Sequence, residues 1–199
     1  MNKVQLQQSY QLEFETVEII LQSEAVTKSL DAFILSWIKY EKQLRKLLCF
    51  LVYQHPIITK ITLPQFDEVI VKNNKLFPDC TILAIEALSA RSVASWVGSE
   101  HPQLSKSIDA ISKHRNKLLH GHITGEGLEQ ADLLGQIGTI KNWICSLANG
   151  ANAELQYDGL ARNTFKQAKK LDRVNLEKFP FDSPEGLRVW VKKFTHPQK

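Results

Sequence analysis

A membrane-spanning segment is the first thing this chain lacks. No window approaches the roughly 18 uncharged apolar residues that such a helix requires. The richest stretch, Leu47 to Tyr53, is seven residues long and follows Lys39, Glu41, Lys42, Arg45 and Lys46. The opening residues MNKVQLQQSYQLEFE carry no apolar run of the signal-peptide kind, so the expected compartment is cytoplasmic and no membrane partner is expected. Cysteine is scarce: Cys49, Cys80 and Cys145 are isolated, odd in number and without C-x-x-C spacing, which excludes a disulfide framework and reads as reduced core thiols. Six histidines are present, and only His120 and His122 stand close together. Two side chains at i, i+2 do not converge from a helix, and no acidic or cysteine partner lies nearby, so neither a metal nor another cofactor is expected.

What remains is an ordinary globular composition. Apolar residues make up 43% and charged residues 23%, enough to bury one core and too hydrophobic for bulk disorder. The net charge of +4 is unevenly placed. Residues 1–157 hold fifteen Lys and Arg against sixteen Asp and Glu, whereas residues 158–199 hold ten against five. The chain thus divides into a near-neutral body, 1–157, and a basic carboxy-terminal extension, 158–199, expected to pack on that body. An excess of positive charge there suits an anionic partner.

Periodicity gives the fold class. Leu30, Ile34, Trp37, Glu41, Leu44, Leu48 and Leu51 recur at alternating spacings of four and three, drawing one stripe down a helix over residues 24–54. His55-Pro56 ends it, because proline disfavours a helical residue before it. Leu63-Pro64 opens a shorter helix to about Asn73, and Asp79 is the expected N-cap of a helix reaching Val97, with Gly98 as its stop. Leu104 to about His120 forms another, closed by Gly121, and Leu128 to Leu147 a further one, ended by Asn149-Gly150. Four to five helices joined by short loops predict an all-α antiparallel bundle. Gln11 to Gln22 fits helix or strand, Asp158-Gly159 fits a hairpin turn, and Asn163 to about Leu171 leans towards helix.

The informative segment is Ser112-Lys-His-Arg-Asn-Lys-Leu-Leu-His-Gly121. Leu104, Ile108, Ile111, Arg115 and Leu118 are spaced four, three, four, three, so an arginine interrupts an apolar stripe. An unpartnered charge there is costly, and Arg115 must face a carboxylate or an anion. Glu41 interrupts the stripe of the long helix in the same way, which predicts a buried Glu41–Arg115 ion pair whose rupture costs about 3–5 kcal/mol, with a plain solvent-facing glutamate as the alternative. Asn116 and His120 are i, i+4 neighbours beside Arg115. Near neutral pH a histidine accepts or donates protons, and a guanidinium fork matches phosphoryl oxygens while keeping its charge.

Arg115-Asn-Lys-Leu-Leu-His120 resembles the R-x(4–6)-H motif of the HEPN superfamily, including the polar residue that often follows the arginine. The resemblance covers residues 24–150. It implies a metal-independent endoribonuclease working as a homodimer, with Arg115, Asn116 and His120 as catalytic residues and Glu41 in support. It also implies RNA as the partner, with a cognate antitoxin or regulatory protein as a further one, since members include toxins, anti-phage proteins and CRISPR-associated ribonucleases. In some HEPN toxins a tyrosine two residues after the motif histidine receives AMP from the antitoxin; here His122 stands at that position. The alternatives are a catalytically inactive HEPN module that binds RNA or a protein partner, and a structural role for both residues: Arg115 in a salt bridge, His120 as a helix carboxy-terminal cation.

Beyond the motif, Arg162, Lys166, Lys169 and Arg173 are spaced four, three, four, with Lys170 beside them. On a helix they form a cationic ridge suited to RNA phosphates. Trp190 and Phe194 read as core residues, with base stacking as the other use of their rings.

Overall fold

A computed structural model of the protein describes residues 3–120, 129–161 and 179–195. Within them the chain is all-helical: α1 Lys3–Gln22, α2 Lys28–Val52, α3 Leu63–Ile70, α4 Pro78–Ser89, α5 Val93–Val97, α6 His101–Leu119, α7 Gln130–Leu155 and α8 Pro184–Thr195. No strand occurs among the described residues, so Gln11 to Gln22 is helix, inside α1, and Asp158-Gly159 is no hairpin turn.

The long amphipathic pattern becomes α2, the centre of the bundle. It packs against α1, α3, α4 and α7, and its buried side chains include Phe33, Trp37, Tyr40, Leu44, Leu47, Leu48 and Leu51. Each such side chain contributes about 1.5–3 kcal/mol by leaving water. The helix closes at Val52, three residues ahead of His55-Pro56. α1 lies on α2 through Phe14 and Val17. Glu13 on α1 receives Lys39 and Lys42 of α2 at 3.4 and 3.0 Å, and Glu18 pairs with Lys141 of α7.

Two helices end differently from what their sequences suggest. The helix expected from Asp79 to Val97 is two. It starts two residues earlier, with Phe77 as N-cap, Pro78 at its first position and Asp79 inside the first turn, and it stops at Ala90, whose φ of 53° is left-handed. Ser92 then restarts the chain as a true N-cap, its hydroxyl accepting the Ser95 N–H at 3.1 Å. α7, conversely, runs through Asn149-Gly150 to Leu155. Gly150 serves a close approach here: a Cβ on it would lie 2.1 Å from the Trp96 carbonyl oxygen of α5. Glycine appears in α7 because another backbone crosses it, and the packing of α5 on α7 outweighs its poor helix propensity.

Arg45 ties α3 to α2. Its guanidinium donates to the carbonyls of Ile70, Val71, Asn73 and Leu76 at 2.9–3.1 Å, satisfying the orphan acceptors beyond the end of α3. Ser183 stands just ahead of α8, and its hydroxyl accepts from Gly186 N–H at 3.0 Å. It packs Leu187, Trp190 and Val191 against α3 and α4, so part of the basic extension joins the core. No helix among the described residues is long and apolar enough to cross a membrane.

Candidate functional site

α6 buries Leu104, Ile108 and Ile111 and nothing further along. One turn beyond Ile111 the stripe reaches Arg115, where the helix is leaving the core; Leu118 is half-buried and Asn116, Lys117, Leu119 and His120 are exposed. The Arg115 side chain turns back to α2. Its Nη2 lies 3.2 Å from Glu41 Oε1, its Nη1 donates to Asn116 Oδ1 at 2.8 Å, and its Cζ stands 5.8 Å from the centroid of the Trp37 ring. The same Glu41 oxygen accepts the indole N–H of Trp37 at 2.6 Å.

Glu41 and Arg115 are therefore partners, as the two interrupted stripes require. The expected burial is corrected, however: their side chains are 32% and 24% exposed. α6 carries the arginine past the last core residue, so the pair sits at the rim of the bundle, where water screens it. Its value lies closer to the roughly 1 kcal/mol of an exposed pair than to that of a buried one.

A guanidinium has five N–H donors in a fixed fork. Glu41 and Asn116 occupy one each, which leaves about three for an incoming oxyanion. The carboxylate orients the fork, and the ring of Trp37 supports it by cation–π attraction. The sequence pattern alone does not mark Trp37 as functional, because in the stripe it counts only as an apolar position. Its signal was the i, i+4 step to Glu41, which puts a carboxylate within reach of the indole N–H.

His120 occupies the C-cap of α6, exposed, with φ −90° and ψ 8°, its backbone N–H donating to Asn116 O at 3.1 Å. A five-residue step turns a regular helix through about 140° beyond a full turn, so His120 does not share the side of α6 that Arg115 presents to α2. The structure thus brings Arg115, Asn116 and Glu41 together and places His120 at the helix end. A second histidine of the segment, His114, has its Nδ1 3.0 Å from Nε2 of Gln136 on α7.

Two other sets of residues were expected near an anion. Arg162, Lys166, Lys169, Lys170 and Arg173 lie outside the described residues, as do Gly121, His122 and the helix expected from Asn163. Trp190 is buried, edge-on to Phe194 at 4.9 Å and tilted against Phe181 at 5.7 Å, so its ring packs the core and is not offered to a base. Among the described residues no three His, Cys, Asp or Glu side chains cluster as metal ligands. Compared with family models, with curated proteins and with solved structures, the chain matches none.

Proposed function

We propose that the chain is a metal-independent endoribonuclease of the HEPN type. The observation that carries this reading is the Arg115 fork, oriented by Glu41 and Asn116 with donors to spare, one helical turn and a half before an exposed histidine. In the reaction the 2′-hydroxyl attacks the adjacent phosphorus and gives its proton to a base. The bond from phosphorus to the 5′ oxygen breaks, and that oxygen takes a proton from an acid. The products are a 2′,3′-cyclic phosphate and a 5′-hydroxyl. His120 exchanges the proton, Arg115 stabilises the charge gathering on the phosphoryl oxygens, and Asn116 and Glu41 position the guanidinium.

One histidine supplies one proton-transfer group per chain, whereas the reaction uses a base and an acid. A two-fold homodimer supplies the second copy and also sets one chain's Arg115 opposite its partner's imidazole, which their different sides of α6 make hard within one chain. The same protein would act as a toxin or anti-phage ribonuclease, with a cognate antitoxin or regulatory partner in the former case.

The test is cleavage of mixed RNA by purified protein in EDTA. Products ending in cyclic or 3′-phosphate with 5′-hydroxyls support the reading, and 5′-phosphate ends, the mark of a metal-activated water, refute it. Arg115→Ala and His120→Ala should each lose about 10²- to 10⁴-fold in rate while staying helical. Near-wild-type cleavage by either ends the proposal. A second reading draws on the same bonds: Arg115 already has partners inside the fold, as a purely structural arginine would. A non-catalytic module of this kind would retain RNA or a protein without cutting RNA.

A further inference from the structure

Glu41 is among the residues that line an open groove of about 810 Å³ along α2. Lys42, Arg45 and Lys46 line it from α2, with Ile38 on the same helix and Val71 and Leu160 contributed by other parts of the chain. Three cations thus meet one carboxylate, and that carboxylate is already paired with Arg115. The charges of Arg45 and Lys46 are held in place without being neutralised, because their partners are carbonyl oxygens: that of Ile70 and three beyond α3 for Arg45, and those of Leu160 at 2.6 Å and Ala161 at 3.4 Å for Lys46. Lys42 shares Glu13 with Lys39, two cations to one anion, and half of its side chain is in solvent.

Beside these cations lies apolar surface that the fold leaves uncovered. Ile38 is 50% exposed and Val71 48%, although both belong to residue types that ordinarily find cover. The groove therefore offers fixed positive charge and aliphatic floor side by side. A ligand matching both is an anion with flat apolar groups along it. Single-stranded nucleic acid has that composition: phosphates for the cations and base faces for the aliphatic floor. Duplex RNA keeps its bases stacked inside and gives the floor nothing to bind.

We propose that the α2 groove receives single-stranded RNA and leads its backbone to Arg115. This rests on the nuclease reading for its direction, since Arg115 is the end of the track only if a phosphate is cut there; binding in the groove itself does not require cleavage. From Ile38 to Cys49 the α2 wall extends for about 16 Å at the usual helical rise, room for a few nucleotides beside the cut.

The experiment is fluorescence anisotropy with a labelled, fully 2′-O-methylated single strand of about ten nucleotides, which has no 2′-hydroxyl and so cannot be cut by this chemistry. The full-length wild type should bind it, with affinity falling as salt rises. Ile38→Glu and Val71→Glu put a carboxylate on the floor at half-exposed positions that the core does not need, and each should weaken binding about tenfold or more by like-charge repulsion. Lys42→Gln should weaken it less, and Leu12→Glu, on the exposed face of α1, should leave it unchanged. The groove proposal is overturned if the wild type does not bind the strand, if the floor variants bind as the wild type does, or if a duplex or an acidic peptide of equal charge binds as tightly. A wild type that holds the strand through the groove but never cuts unmodified RNA refutes the nuclease reading alone. Cutting by wild type with groove-independent binding refutes the groove alone.

Discussion

Replacing Glu41 separates two bonds that share one oxygen. Glu41 Oε1 accepts from the Trp37 indole at 2.6 Å and from Arg115 at 3.2 Å. At the latter separation, with an effective dielectric of about 20, the gross attraction is about 5 kcal/mol. Partial exposure and the ordering of two long side chains reduce the net value to about 1 kcal/mol. The indole bond is the larger stake, because Trp37 is only 2% exposed and a buried donor left without its acceptor costs about 1–3 kcal/mol. Glu41→Gln keeps an amide oxygen for the indole and loses the charge, so it should destabilise by about 1 kcal/mol. Glu41→Ala loses both and should destabilise by about 2–4 kcal/mol. Urea unfolding at constant m value measures each, and the cycle with Arg115→Ala should show a coupling of about 1 kcal/mol. If Gln costs as much as Ala, the indole bond is not what Glu41 secures. If the alanine losses add, the ion pair has no energetic content.

Three further outcomes follow from other parts of the fold. Burial pushes the Cys49 thiol up to about 12, so at pH 8 an alkylating agent should label the partly exposed Cys80 and Cys145 and spare Cys49 until denaturant is added; mass mapping that finds Cys49 labelled in the native protein contradicts its burial. Gly150→Ala drives a methyl group into the Trp96 backbone and should lower the melting temperature by several degrees, at about 1–3 kcal/mol for overpacking; an unchanged melt would mean that α5 does not cross α7 there. Desolvation, and then the nearby Asp109, raise the Asp79 carboxyl above its usual range. The folded state then holds its proton more tightly than the unfolded one, so stability falls as pH rises through that window. Asp79→Asn should accordingly raise the melting temperature at pH 7, with the gain vanishing at about pH 3, below the ordinary carboxylate value; a loss at pH 7 would show that the carboxylate is favoured where it sits.

The two stripes, on α2 and α6, were readable because each is long and keeps a strict helical spacing, and the charges that interrupt them pointed to one another for the same reason. Where α6 parts from the core was not readable: a stripe records which residues share a face and not how far the neighbouring helix extends beneath them. That is why the Glu41–Arg115 pair was expected deeper than it lies. The break between α4 and α5 was overlooked because Ser92, a good N-cap, sits in a run whose apolar spacing continues across it. Asn149-Gly150 misled in the opposite sense, since a glycine that stops a helix and one that admits a crossing backbone look alike in sequence. The role of Trp37 lay hidden because one atom of an otherwise apolar ring carries it.

The outer half of α6 has a mechanical consequence. Beyond Ile111 its attachments include Leu118 at the edge of the core, Arg115 to α2 and His114 to Gln136 of α7. Peeling a helix off a packed core opens a cavity, whereas bonds such as these can be exchanged for water one at a time. The last two turns are therefore held more by polar contacts than by buried apolar surface. A group that competes for the Glu41 carboxylate or the Gln136 amide would act on this end of α6 first, because little buried apolar surface holds it.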